Sequence, residues 1–171
     1  MTEEAFRRIK IRVGAVIFQG EEVALICRTN ALGTKHYTLP GGNVEATEDL
    51  PAALHRELLE ELDLDLCAIP SPPRFTWILD SMVSRPGGTP PRKVHLVYRI
   101  QISSSMRTRL RVYEDDEHLG AGQVVWVPYR QTASLHLFPP VPLAQLQAPE
   151  SAVDAASCLL PPLSDENYTW A

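Results

Sequence analysis

The sequence predicts an α+β fold in which a mixed β-sheet packs against helices. Three observations lead there. Two apolar segments of strand length meet at a glycine turn near the N-terminus, one strong amphipathic helix covers about Glu48 to Leu62, and apolar residues alternate from Val94 to Ile102. Strands precede and follow the helix through hairpin connections, without the regular strand–helix alternation of a doubly wound sheet.

The first two elements, Val13 to Phe18 and Val23 to Ile26, are joined by Gln19-Gly20-Glu21 and read as a hairpin. A polar loop follows from Thr29 to His36. The short run Tyr37-Thr38-Leu39 then stops at Pro40-Gly41-Gly42, which neither a helix nor a central strand continues. Leu, Glu and Ala dominate the helix, with Thr47 placed as its cap and Pro51 in its first turn, where a missing N–H costs little. Further on, Val94, Leu96, Tyr98, Ile100 and Ile102 have the period of a half-buried strand. Phe75, Trp77 and Leu79 supply its antiparallel partner, and the Pro- and Gly-containing stretch Arg85 to Arg92 is the connection. Glu114-Asp115-Asp116-Glu117 reads as an acidic loop before a short strand at Gln123 to Val127, and a weakly helical end follows Pro142.

At 171 residues, the chain accommodates one domain of ~150 residues and a tail, divided here as 1–148 and 149–171. In the tail, Ala152-Val153-Ala155-Ala156 suggests a short helix before the extended Leu159 to Pro162; it packs on its own domain or on a partner chain in a homodimer. Hydrophobic residues make up 44%, enough for a packed core, and 16 Lys and Arg against 21 Asp and Glu leave a formal charge of -5. That balance attracts neither nucleic acid nor an anionic membrane. Cys27, Cys67 and Cys158 form no C-x-x-C pair, so no disulfide framework or thiolate zinc site is expected. No run approaches the ~20 apolar residues of a membrane span, and residues 1–10 lack the apolar core of a signal peptide. A cytoplasmic location is expected.

Within the helix, Glu57, Glu60 and Glu61 fall at i, i+3 and i+4 and share one face, while Leu54, Leu58, Leu59 and Leu62 occupy another. Carboxylates that close repel one another unless a cation neutralises them, and oxygen ligands suit a hard ion such as Mg²⁺ or Mn²⁺. The same spacing occurs on a merely solvated helix face, so the surroundings decide. Outward from Gly42 the order is five residues, Glu48, seven residues, Arg56-Glu57-Leu58, one residue, Glu60-Glu61, one residue, then Asp63 and Leu64. This resembles the Nudix box, G-x5-E-x7-R-E-U-x-E-E-x-G-U with U a bulky aliphatic, at every specified position except Asp63, where the family has glycine. Six fixed residue types at a share of ~6% each match by chance on the order of one time in ten million. Leu39-Pro40-Gly41 is also what the family usually carries ahead of the box. The box glycine stands where a left-handed residue ends the helix, a conformation that Asp tolerates at some cost.

The resemblance implies a Nudix-like fold, a mixed β-sheet sandwiched between helices, and hydrolysis of the pyrophosphate bond in a nucleoside diphosphate derivative. It implies Mg²⁺, with Mn²⁺ as a substitute, held by Glu57, Glu60, Glu61 and the Gly41 carbonyl; Glu57 or Glu61 could instead take the proton from water. Gly42, Glu48 and Arg56 support the site, the last two as an ion pair bracing the loop on the helix. Many family members draw another carboxylate from a loop before a later strand ending in Trp. Glu117, upstream of Trp126, is the choice for an extra base or ligand, and a solvated acidic loop reads equally well. Arg28, Lys35 and His36 flank the loop into the box and are the candidates for binding substrate phosphates, against an ordinary charged surface. Phe75 and Trp77 offer faces for a base, with core packing favoured, and His95 and Arg99 point from the presumed non-core face of their strand. The markers that divide the family, such as the S-Q-P-W-P-F-P run of NADH-type enzymes, are absent. The expected substrate is a small nucleotide, a nucleoside triphosphate first, with a nucleotide-sugar or ADP-ribose-type pyrophosphatase and a noncatalytic nucleotide-metabolite sensor as alternatives.

Overall fold

Aliphatic residues on both faces make the first hairpin the centre of the sheet. In the computed structural model, which describes residues 9–84, 92–116 and 120–170, β1 (Lys10–Gln19) and β2 (Glu22–Thr29) pair antiparallel. They turn at Gly20, whose φ of 59° is the left-handed conformation such a turn needs. β1 also pairs parallel with β5 (Lys93–Gln101), from Lys10↔Lys93 to Phe18↔Gln101, and β5 pairs antiparallel with β4 (Arg74–Met82). On the other side, β2 pairs with β7 (Gly120–Pro128), and β7 with β6 (Tyr113–Asp116). The short β3 (Lys35–Thr38) branches from β2 and pairs with β8 (Leu137–Phe138); β9 (Leu163–Ser164) closes the far edge along β4. The mixed sheet and its helices form an α+β fold.

One sequence expectation changes here, and one lies mostly beyond the described residues. Glu114, Asp115 and Asp116 belong to strand β6 rather than a loop, because antiparallel pairing with β7 at Glu114↔Gly122 satisfies their backbone. The connection expected at Arg85 to Arg92 lies outside the described residues, apart from Arg92.

Helix α1 (Leu50–Leu62) covers one face of the sheet. Its cap is Asp49 rather than Thr47: Pro51 belongs in the first turn, so the helix starts at Leu50, and the Asp49 carboxylate accepts from the Ala52 N–H at 2.9 Å. Ala53, Leu54, Leu58 and Leu62 are buried against Val13, Ala15, Ile17 and Ile100, each leucine contributing ~1.5–3 kcal/mol. Leu59, expected on the apolar side, is 44% exposed. The helix ends where Asp63 turns left-handed, at φ 56°. Nε and Nη2 of Arg111 each donate to the Asp63 carboxylate at 2.7 Å.

The second face is covered by 3-10 turns rather than a long helix. Tyr129 from the turn Tyr129–Ser134, and Val141, Leu143 and Leu146 from around the turn Leu143–Gln145, pack on Val16, Phe18, Leu25, Trp77 and Val97. The weakly helical end beyond Pro142 is thus only a 3-10 turn. This layer also buries His95 and Arg99, whose side of β5 was presumed to lie outside the core. Arg99 donates to the Thr76 hydroxyl and to the carbonyls of Pro149 and Ser151 at 3.1, 2.8 and 2.7 Å, fastening the start of the tail. Beyond it come one helical turn, α2 (Ala155–Cys158), and β9. Among the described residues, no helix is long and apolar enough to cross a membrane.

Candidate active site

The loop 40–44 is bonded to the sheet as if it were another strand. The Val13 and Ala15 N–H groups donate to the Gly42 and Pro40 carbonyls at 3.0 and 2.9 Å, and the Val44 N–H donates to Ile11 at 2.9 Å. So close an approach requires glycine. At Gly41, with φ 132°, a Cβ would sit 2.2 Å from the Val13 carbonyl oxygen; at Gly42 it would sit 2.1 Å from the Glu57 carboxylate. Gly42 thus makes the space in which the Glu57 carboxylate rests.

Arg56 joins this loop to α1. Its Nε and Nη2 donate to the two Glu48 oxygens at 3.0 and 2.6 Å, Nη2 reaches the Asn43 carbonyl at 3.1 Å, and Nη1 donates to Glu57 at 2.9 Å. The bidentate bond holds the Glu48 carboxyl below its ordinary range. Glu60 stands at the rim, its side chain 61% exposed, with Arg56 Nη1 at 3.4 Å.

Glu61 lines the adjoining cleft, which has a volume of about 260 Å³. Its Oε2 accepts from the Gly41 N–H at 2.7 Å. Burial pushes its pKa up to about 8, that hydrogen bond opposes the shift, and the negative charges of Glu114 and Glu57 add to it. Glu57 is raised as well, chiefly by burial. Desolvated carboxylates such as Glu57 and Glu61 are stabilised by a hard divalent cation, and their oxygen donors suit Mg²⁺ or Mn²⁺, whereas Glu60 stands apart at the exposed rim. The Gly41 carbonyl accepts from Arg12 Nη2 at 2.8 Å, which uses one of its two acceptor directions.

Across the cleft stand cations. Parallel pairing of β1 with β5 sets Lys10 beside Lys93 and Arg12 beside His95, and all four line the cleft with Arg28, Asn43, Phe138 and Pro139. Arg28 and Glu114 are both buried and form an ion pair. Gly122, opposite Glu114, makes room for it: a Cβ there would lie 2.9 Å from the Glu114 carboxylate and 3.2 Å from the Arg28 guanidinium carbon.

Of the substrate-binding candidates, Arg28 is in the cleft. His36, its register partner on β3, lies beside the ring of Trp170 at 5.5 Å. Lys35 lines a separate shallow depression with Tyr37, Tyr113 and Gln123. Trp77 is core, and Phe75 packs edge-on against Tyr98. Glu117 lies outside the described residues; from the same acidic segment, the buried Glu114 is close enough to raise Glu61 by its charge. Lys10, Arg12, Lys93 and Glu114 escaped sequence reasoning. The alternation of Tyr113, Glu114 and Asp115 ahead of Gly120-Ala121-Gly122 was the one available signal, a strand with room beside it. On the opposite side of α1, His55, Asp65 and Cys67 come together, partly or fully exposed.

Residues 8–147 match the family model of the NUDIX domain. Among solved structures, the chain is similar to the NUDIX domain of Shewanella oneidensis NrtR complexed with ADP ribose, at 20% identity and TM-score 0.55, covering 80% of this chain and 84% of that one. It is also similar to the MutT protein from Bacillus halodurans, at 14% identity and TM-score 0.54, covering 75% and 74%. A third is the bifunctional NMN adenylyltransferase/ADP ribose pyrophosphatase from Francisella tularensis complexed with AMP and Mn ion, at 20% identity and TM-score 0.50, covering 71% and 34%. At these identities the structural likeness is one of fold. The family match over most of the chain, on a sheet that sets the acidic helix against the glycine loop, places this chain in the Nudix hydrolase family.

Proposed function

We propose that the chain hydrolyses the pyrophosphate bond of a small nucleotide, a nucleoside triphosphate in the first instance, with Mg²⁺ as its cofactor. Residues 1–148 are the catalytic domain and 149–171 its tail. The observation that carries this reading is one cleft with Glu61 on one wall and Lys10, Arg12, Arg28 and Lys93 on the others. Carboxylates alone would repel a polyphosphate, and cations alone would only bind it.

Glu57, Glu60 and Glu61 would hold Mg²⁺ or Mn²⁺, with the Gly41 carbonyl as a further ligand. The metal supplies charge neutralisation at the phosphate oxygens and a lowered pKa for water. Lys10, Arg12 and Lys93 neutralise the remaining phosphate charge, and Arg28, its own charge balanced by Glu114, helps orient the chain of phosphates. Water adds to one phosphorus, its proton passes to Glu57 or Glu61, and the bridging oxygen leaves with the other phosphate. Glu48 and Arg56 keep the loop in register with the helix, Glu117 is the further candidate base or ligand, and Glu114 adds a negative charge beside Glu61. Arg28 is the phosphate ligand favoured among the three sequence candidates, ahead of His36 and Lys35, because it alone lines the cleft.

The test is product formation by purified protein against nucleoside triphosphates, oxidised nucleotides, nucleotide sugars, dinucleotides and ADP-ribose, with Mg²⁺, Mn²⁺ or chelator, beside the Glu61→Gln variant. Metal-dependent hydrolysis of one class, lost in the variant, supports the reading and names the substrate. Nucleotide binding without turnover across the panel supports a noncatalytic sensor instead.

A further inference from the structure

The family match ends at residue 147, yet the chain beyond it packs on Phe138, a residue of the cleft wall. β9 pairs with β4 at Ser81↔Leu163 and Met82↔Ser164, and the Asp165 carboxylate accepts from the Ser84 N–H and hydroxyl at 2.7 and 2.5 Å. These bonds fix the direction of the last residues. The Tyr168 hydroxyl lies 3.0 Å from His136 Nε2 and donates to the Leu137 carbonyl at 3.3 Å, with its ring centre 5.4 Å from that of Phe138. The Trp170 ring centre is 4.9 Å from Phe138 and 5.5 Å from His36.

Phe138 itself lines the cleft, and on its other side its ring meets His95 at 5.3 Å. A row of rings, His95, Phe138, Trp170 and His36, therefore starts in the cleft wall and continues outward, and the tail delivers one of its members. Trp170 is only half-buried, so part of its indole faces solvent. The cations and Glu61 account for the phosphate end of a ligand. An aromatic row bordering that end suits a planar, uncharged group attached to the phosphates.

We propose that the tail is part of the substrate site: Trp170, seated against Phe138 and His36, is a stacking surface for the substrate's base, and Tyr168 positions Phe138 beneath it. This inference rests on the nucleotide reading above. The tail would then set which base-bearing compounds are accepted, while the box residues act on the bond common to all of them.

The experiment is calorimetric titration of the full chain, with Mg²⁺, by AMP, GMP and the base-free ribose 5-phosphate, using wild type, Trp170→Ala and Trp170→Phe. Loss of one stacked base weakens binding by about tenfold. Trp170→Ala is expected to show that loss for AMP or GMP with ribose 5-phosphate unchanged, and Trp170→Phe to recover most of it. Equal changes for all three ligands, or none, overturn the inference in favour of a tail that only stabilises the fold. Should Trp170→Ala not fold, nucleotide quenching of tryptophan emission decides. Quenching present in wild type and lost in Trp170→Phe, where Trp77 and Trp126 remain, supports stacking; unchanged quenching overturns it. Wild type that hydrolyses the panel but binds AMP and GMP no better than ribose 5-phosphate overturns this inference alone. Wild type that neither hydrolyses nor binds any nucleotide overturns the nucleotide reading with it.

Discussion

One wall of the cleft comes from a single continuous stretch, the glycine loop at residues 40–44 and helix α1; the other is gathered from β1, β2, β3, β5 and β8. In the first, short-range geometry does the positioning: helical spacing aligns the carboxylates, and two glycines admit the loop to β1 and Glu57 to Gly42. In the second, position depends on strand register, which sets Lys10 beside Lys93 and Arg12 beside His95. The local wall can therefore lose a functional group while keeping its shape. The assembled wall includes a buried charge pair, Arg28 with Glu114, and there chemistry and stability fail together.

The sharpest separation should come from Glu61→Gln and Glu57→Gln, which keep side-chain shape. Turnover is expected to fall on the order of 10²–10⁴-fold if either group takes the proton, with a urea denaturation midpoint no lower than that of wild type. A large stability loss in both would erase the contrast. On the assembled wall, Arg28→Met or Glu114→Gln leaves a buried charge without its counterpart and should cost about 3–5 kcal/mol. Urea titration of the two single variants and the double should show the double costing less than the sum.

Next in size is a pH effect in metal-free protein. The folded Glu61 carboxyl, raised to about 8, holds its proton where the unfolded chain, at an ordinary 4.5, has released it. Stability conferred by this group is complete below about 4.5 and is lost as pH rises towards 8, on the order of a few kcal/mol. Melting curves in chelator should show that decline in wild type and a flatter profile in Glu61→Gln; added Mg²⁺ should remove it. The smallest effects separate two adjacent glycines. Gly41→Ala meets backbone at a positive φ and should lose ~1–3 kcal/mol of stability. Gly42→Ala meets only the movable end of Glu57, so stability should hold while activity drops about 10–100-fold. Equal stability losses at the two would show Glu57 to be as rigidly held as the backbone.

The same division explains what was legible beforehand. α1, the central hairpin and the antiparallel β4–β5 pair all follow from periodicity within short windows. The exact cap did not, because Thr47 and Asp49 are both good caps and only the first-turn position of Pro51 separates them. The acidic segment reads as a loop because carboxylates disfavour strands, and its pairing with β7 is a tertiary fact. His95 and Arg99 looked outward because alternation shows one apolar face and is silent on a second layer built from 3-10 turns 30 or more residues later. Arg12 and Lys10 carry no local mark at all. They matter only through the strand that arrives beside them.

The aspartate that replaces the box glycine also constrains how such a chain can be reached by single substitutions. Asp63 carries left-handed backbone strain, and Arg111 grips its carboxylate with two bonds while donating a third to the Glu60 carbonyl. Glycine at 63 with Arg111 carries no strain; Asp63 without an arginine at 111 carries it unrelieved. Of the two mutational orders, the one that acquires the arginine first avoids a weakened intermediate. It also leaves the end of the acidic helix tied to the segment entering β6, so that Glu61 and Glu114 inherit a shared anchor that a glycine could not provide.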